Sequence, residues 1–141
     1  MPRKIFINLP VRDLQKTIAF FTKLGFKFNP QFTNKNATCM IIEKNIFVML
    51  LVEKFFRGFI PGREICDTEK STEALLSLSA DSRKEVDEMV KKVIAAGGEE
   101  YRNPQDYGWM YGRAFKDLDG HIWETGYMDM SKMPEEMKNK K

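Results

Sequence analysis

Histidine is nearly missing from this chain: His121 is the only one among 141 residues. Zinc motifs built on several histidines are therefore excluded. Cysteine is almost as scarce. Cys39 falls in an apolar strand pattern and Cys66 in a polar loop, which argues against a structural disulfide. Nothing near Cys39 in sequence would form its thiolate, so a nucleophilic role is not expected. No apolar run approaches the roughly 20 residues that a membrane helix requires. The basic start, Met1-Pro2-Arg3-Lys4-Ile5, is followed by no signal-peptide pattern. These absences set the expectation of a cytoplasmic protein with no membrane partner. The net charge is only +3, and much of the basicity sits in Lys132, Lys138, Lys140 and Lys141, a solvated tail. Nucleic-acid binding is not expected from it.

What is present is ordinary for a globular protein: 43% hydrophobic and 30% charged residues, and length for one compact domain. From Lys4 to Pro10, Ile5, Ile7 and Leu9 alternate with Phe6, Asn8 and Pro10, a strand by period. Asp13 stands at an N-cap position, Leu14, Ile18, Phe21 and Leu24 follow at helical spacing, and Gly25 ends the helix. Residues 26–28, 37–43 and 46–52 read as strands, the last two joined by Lys44-Asn45. Residues 53–70 show no sustained period and read as a long loop with room for a helical turn; Phe55, Phe56 and Phe59 would suit a lid or a dimer contact. The pattern then returns. Residues 74–79 are strand-like, Ser82 and Glu85 form a capping box, and Val86, Met89, Val90, Val93 and Ile94 mark an amphipathic helix ended by Gly97-Gly98. Residues 99–102 read as a strand, Asn103-Pro104-Gln105-Asp106 as a turn, and 109–115 and 121–128 as a closing pair. The chain is thus βαβββ twice, an internal duplication.

The closing pair is joined by Lys116-Asp117-Leu118-Asp119-Gly120, in which Asp119-Gly120 signals a two-residue hairpin turn. The strand after it carries Glu124 between Trp123 and Thr125. An acid among apolar strand residues needs a metal, a hydrogen-bond partner or water beside it. His121 sits at the hairpin shoulder, on the opposite face from Ile122 and Glu124 by alternation; as the chain's one histidine, the residue type most used for acid–base work, it is still a candidate.

Three stretches carry a resemblance: Leu9-Pro10-Val11-Arg12-Asp13-Leu14; Ala19-Phe20-Phe21 with Leu24-Gly25-Phe26; and Phe115-x-Asp117-x-Asp119-Gly120-His121-x-Trp123-Glu124. With the duplicated βαβββ, the chain resembles the vicinal oxygen chelate superfamily of glyoxalase I, bleomycin-resistance proteins, fosfomycin-resistance enzymes and extradiol dioxygenases. It looks most similar to bacterial predicted lactoylglutathione lyases. The resemblance implies an α+β fold: two tandem βαβββ modules forming curved, mostly antiparallel sheets around a cleft. Module one is 4–52, the linker 53–70 and module two 71–128, together one domain over 1–130, with 131–141 a partly helical or frayed tail.

The resemblance also implies a set of four metal-ligand positions. They fall on Glu124, on Phe6 with Asn8 its same-face neighbour, near Met49, and near Leu75 with Ser77 its same-face neighbour. Only Glu124 is a metal ligand of the usual kind. The expected cofactor is none, with a divalent metal on Glu124 as the alternative. Glu124 is the candidate catalytic acid or base, its pKa raised by desolvation, or else a carboxylate held in a structural hydrogen bond. Phe6, Asn8, Phe47, Met49, Ser77, Tyr107, Trp109 and Tyr111 are the candidate ligand-binding residues, and Trp123 is a further aromatic for the cleft. The expected function is binding of a small organic molecule in an aromatic cleft, as in bleomycin-resistance proteins. The alternatives are a metal-dependent lactoylglutathione lyase and a structural or regulatory dimer. Extradiol ring cleavage ranks last, because it needs two histidines and a carboxylate on iron and the chain has one histidine. A homodimer is what the resemblance implies for assembly.

Overall fold

The computed structural model describes residues 2–139; Met1 and the tail residues Lys140 and Lys141 lie outside it. The chain divides into two compact units, Met1–Ser71 and Thr72–Lys141. Each carries a four-stranded mixed sheet with one long helix.

In the first unit, strand β1 (Ile5–Val11) leads into helix α1 (Leu14–Lys23). Asp13 caps that helix by accepting the Lys16 amide at 3.1 Å. Strands β2 (Lys27–Asn29), β3 (Ala37–Glu43) and β4 (Ile46–Val52) complete a sheet of order β1-β4-β3-β2. β1 runs parallel to β4, and the other pairs are antiparallel. Phe20 and Phe21 of α1 are buried, as are Met40, Val48 and Leu50 of the sheet. Full burial of each such side chain is worth roughly 1.5–3 kcal/mol. The loop after β4 begins with a short helix, α2 (Glu53–Arg57), and Phe55 meets Phe59 edge-on at 5.2 Å.

The second unit repeats the plan. Strand β5 (Leu76–Ser79), shorter than the expected 74–79, leads into helix α3 (Arg83–Ala95), and β6 (Glu99–Asp106), β7 (Met110–Lys116) and β8 (Ile122–Met128) follow. The sheet order is β5-β8-β7-β6, with β5 parallel to β8. Val86, Val90 and Val93 of α3 are fully buried, whereas Ile94, expected on the same stripe, is 55% exposed. Among the described residues no helix is long and apolar enough to cross a membrane, and a last short helix, α4 (Glu135–Lys138), lies in the tail.

Three local details differ from the expected pattern. The Ser82 hydroxyl accepts the Glu85 amide at 3.0 Å, but the Glu85 carboxylate accepts from Asp81 rather than from Ser82, so the capping box closes one residue early. Residues 103–106 are not a turn: β6 continues through them, bent by two register shifts against β7. Pro104 is tolerated because β6 is an edge strand and is bulged there. The β7–β8 hairpin has a three-residue loop. The Asp117 amide donates to the His121 carbonyl at 3.1 Å, and Gly120 alone takes positive φ, at 82°. Asp119 keeps negative φ because a three-residue loop needs only one left-handed position.

Candidate functional site

β1 and β4 place four of the candidate residues on one face of the first sheet. In a parallel ladder, paired residues share a face. Phe6 pairs with Phe47 and Asn8 with Met49, which also pairs with Cys39 of β3. The Phe6 and Phe47 rings stack at 4.9 Å and 15°, and Phe6 remains 51% exposed. Asn8 donates its amide to the Phe6 carbonyl at 3.3 Å. The face is therefore an aromatic and thioether surface with one amide, the opposite face being the one that packs on α1.

The second sheet is different in character. Ser77 and Glu124 are register partners across the parallel β5–β8 pair. The Ser77 hydroxyl donates to Oε1 of Glu124, and Arg102 Nη2 donates to Oε2. Arg102 was no candidate. Period-two alternation along β6 would put it on the same face as Glu100. The register shift between them breaks that alternation: Glu100 pairs with Phe115 and Arg102 with Ala114, the neighbour of Glu124. A bulge re-aims a side chain in this way. The second shift brings Gln105 opposite Gly112 on the same face, where its Oε1 lies 3.4 Å from Arg102 Nη2. Asn103-Pro104 reads as a turn in the sequence, and within the observed strand Pro104 falls in the second shift, between Arg102 and Gln105.

Glu124 differs electrostatically from the expectation of a raised pKa. The Ser77 hydroxyl, and then the Arg102 guanidinium, hold its carboxyl below the ordinary value of 4.5, outweighing the effect of burial. It is ionised at neutral pH and already accepts two hydrogen bonds, which makes it a weak base.

The other face of this sheet holds a separate network. Tyr111, a candidate for ligand contact, donates its hydroxyl to Asp87 of α3 at 2.6 Å, with Arg83 at 4.4 Å over its ring. Arg113 donates through Nε and Nη2 to Glu100, at 2.8 and 2.9 Å, and through Nη1 to Asp87 at 2.9 Å. Arg83 in turn pairs with Asp106. Tyr111 is thus not brought together with Ser77 and Glu124. Trp123 is not a surface aromatic either. It is buried, stacks on Phe115 at 3°, and donates its indole N–H to Asp117 at 2.9 Å. The buried Asp117 carboxylate also accepts the Asp119 and His121 amides and so organises the hairpin. Tyr107 sits at the β6–β7 turn, 63% exposed, and the Trp109 carbonyl accepts the Asp129 amide at 2.6 Å.

A divalent metal does not fit these side chains. Among the described residues no group of three or more His, Cys, Asp or Glu side chains could hold one. Both Glu124 oxygens are engaged, one by a cation. A zinc site needs about four N, S or O ligands at once.

Comparison with known proteins agrees with the fold. The family model described as "Glyoxalase/Bleomycin resistance protein/Dioxygenase superfamily" matches residues 5–125. A hypothetical protein from S. aureus is 35% identical, with a TM-score of 0.75 over 90% of this chain and 95% of its own. A glyoxalase/bleomycin resistance protein/dioxygenase family enzyme from Burkholderia phytofirmans is 16% identical, with a TM-score of 0.72 over 87% and 96% of the two chains. A lactoylglutathione lyase from Agrobacterium tumefaciens is 17% identical, with a TM-score of 0.65 over 94% and 98%. The last two likenesses show the fold alone. No curated protein matches.

Proposed function

Because the chain belongs to the Glyoxalase/Bleomycin resistance protein/Dioxygenase superfamily, we propose that it binds a small organic molecule without a divalent metal. The observation that carries this reading is the state of Glu124. At the position where the resemblance implies a metal ligand, its carboxylate is engaged by the Ser77 hydroxyl and the Arg102 guanidinium. The cation it needs comes from its own sheet. On the second sheet Ser77, Arg102 and Glu124 supply placed polar groups, with Tyr107 and Trp109 as further contact candidates. The first sheet by itself presents the stacked Phe6 and Phe47, Met49 and the Asn8 amide. Placed polar groups and an aromatic face are each features of small-molecule recognition. A lactoylglutathione lyase reading has no comparable support: the relative of that name is 17% identical, and a carboxylate whose pKa is lowered and whose two oxygens are engaged is a weak base. The same proposal includes a homodimer, which family membership supports; light scattering on the eluted protein checks it.

A thermal-shift screen of aromatic and drug-like compounds tests the binding reading. At least one compound should raise Tm by several degrees, and by a different amount in Glu124→Gln. A screen with no hit removes the reading.

A further inference from the structure

Arg102 and Arg113 come from neighbouring strands of one sheet, yet their guanidinium groups are used very differently. Arg113 spends Nε, Nη1 and Nη2 on two carboxylates. Arg102 spends only Nη2, on Glu124 and Gln105. Its Nε is buried with no hydrogen-bond partner among the described residues, and Nη1 makes no bond to any of them. The Arg102 side chain is 28% exposed and that of Glu124 25%. A guanidinium carries five donors and cannot give up its charge. Leaving the buried Nε unfilled costs free energy. Arg113 shows that an arginine on this sheet accommodates two carboxylates at once.

We propose that Arg102 is the specificity-determining residue of this site and selects an organic carboxylate, whose oxygen takes the unused Nη1 and competes with Glu124 for the guanidinium. The inference rests on the small-molecule reading above and narrows it to anions. The bulge that turns Arg102 onto the Glu124 face then has a consequence for recognition: it supplies a fixed cation to bind an acid. The acid needs no second oxygen beside the first, as metal chelation would require, because one guanidinium N–H edge suffices. Glu124 has the opposite sign, so it holds Arg102 in place and limits how tightly the acid binds.

The experiment is calorimetry and thermal shift on the full chain with benzoate, benzamide, phenylacetate and phenylacetamide. Each acid should bind about tenfold more tightly than its amide, the difference between charge-assisted and neutral hydrogen bonds. Glu124→Gln should tighten the acids and leave the amides unchanged, because it frees Arg102 from its competitor. The Arg102→Met/Glu124→Gln double variant should abolish the preference; it removes both charges together, so no carboxylate is left unpaired to unfold the sheet. Arg102→Lys, which keeps the charge, should retain part of it. Equal affinity for acid and amide, no acid binding, or a preference that survives in the double variant overturns the inference. A neutral hit from the compound screen would in those cases leave the small-molecule reading standing.

Discussion

A carboxylate on a strand among apolar neighbours is defined by what its two oxygens touch. Glu124 touches a hydroxyl and a guanidinium, and both favour its charged form. Its contribution to stability follows from the sign of that shift. A carboxyl whose folded-state pKa is depressed stabilises the native state fully above its unfolded value, near 4.5, and loses that contribution as pH falls through the folded-state value. Glu124→Gln should therefore cost about 1–2 kcal/mol at pH 7, the scale for a partly buried charged hydrogen bond left with an unpaired arginine. The cost should shrink below pH 4.5 and vanish under the folded-state pKa. Urea unfolding of both proteins between pH 7 and pH 3 measures it, and a pH-independent difference would contradict the assignment. A second residue-scale test concerns Arg113. Its loss leaves Glu100 and Asp87 without their shared cation and Tyr111 facing an unbalanced acid. Arg113→Met should cost about 2–3 kcal/mol, and Tyr111→Phe about 1 kcal/mol, by the same assay.

At the scale of elements, periodicity accounts for what was legible and bulges for what was not. β3 and β4 run over the residues their apolar patterns mark, and Asp13 and Ser82 cap the helices they precede. These features depend on neighbours within about four residues, which is the range sequence spacing describes. Arg102 depends on a register shift against another strand, and no local pattern encodes which residue a bulge turns over. Glu124 could be named as an acid among apolar strand residues, and Ser77 from the ligand position the resemblance implies; the side chain that decides their chemistry could not. The β7–β8 hairpin illustrates the same limit. Asp-Gly marks the turn, but loop length is set by Asp117, whose carboxylate gathers the Asp119 amide, the His121 amide and the Trp123 indole. Only Gly120 then needs a left-handed backbone. Gly120→Ala should cost about 1 kcal/mol, because an L side chain is strained at φ of 82°. Thermal melts of Gly120→Ala and the unaltered chain measure that cost.

At the scale of the molecule, the two βαβββ units share topology and differ in the faces they present. The first sheet offers Phe6, Phe47 and Met49, and the second offers Ser77, Arg102 and Glu124. Duplication preserved the order of strands, which packing against a helix dictates, while the exposed faces were free to change. This divergence bears on metal binding through mass action. A metal that binds only the native state stabilises it by RT ln(1 + [M]/Kd), about 2.7 kcal/mol at a hundredfold excess over Kd. For a domain of this size that raises Tm by roughly 5–10 °C. Ni²⁺, Zn²⁺ or Mn²⁺ at about 1 mM would reveal in this way any site with a Kd near 10 μM or tighter. We expect no such rise. Glu124 would have to give up Arg102 before it could ligate. The other positions that the resemblance implies carry Phe6 with Asn8 beside it, Met49, and Leu75 with Ser77 beside it, none of them a usual metal ligand. Glu124→Gln should respond to metal no differently from the unaltered chain, which separates specific ligation from weak binding elsewhere. A rise in the unaltered chain that disappears in Glu124→Gln would show that a metal displaces Arg102, and the metal-independent reading would fall with it.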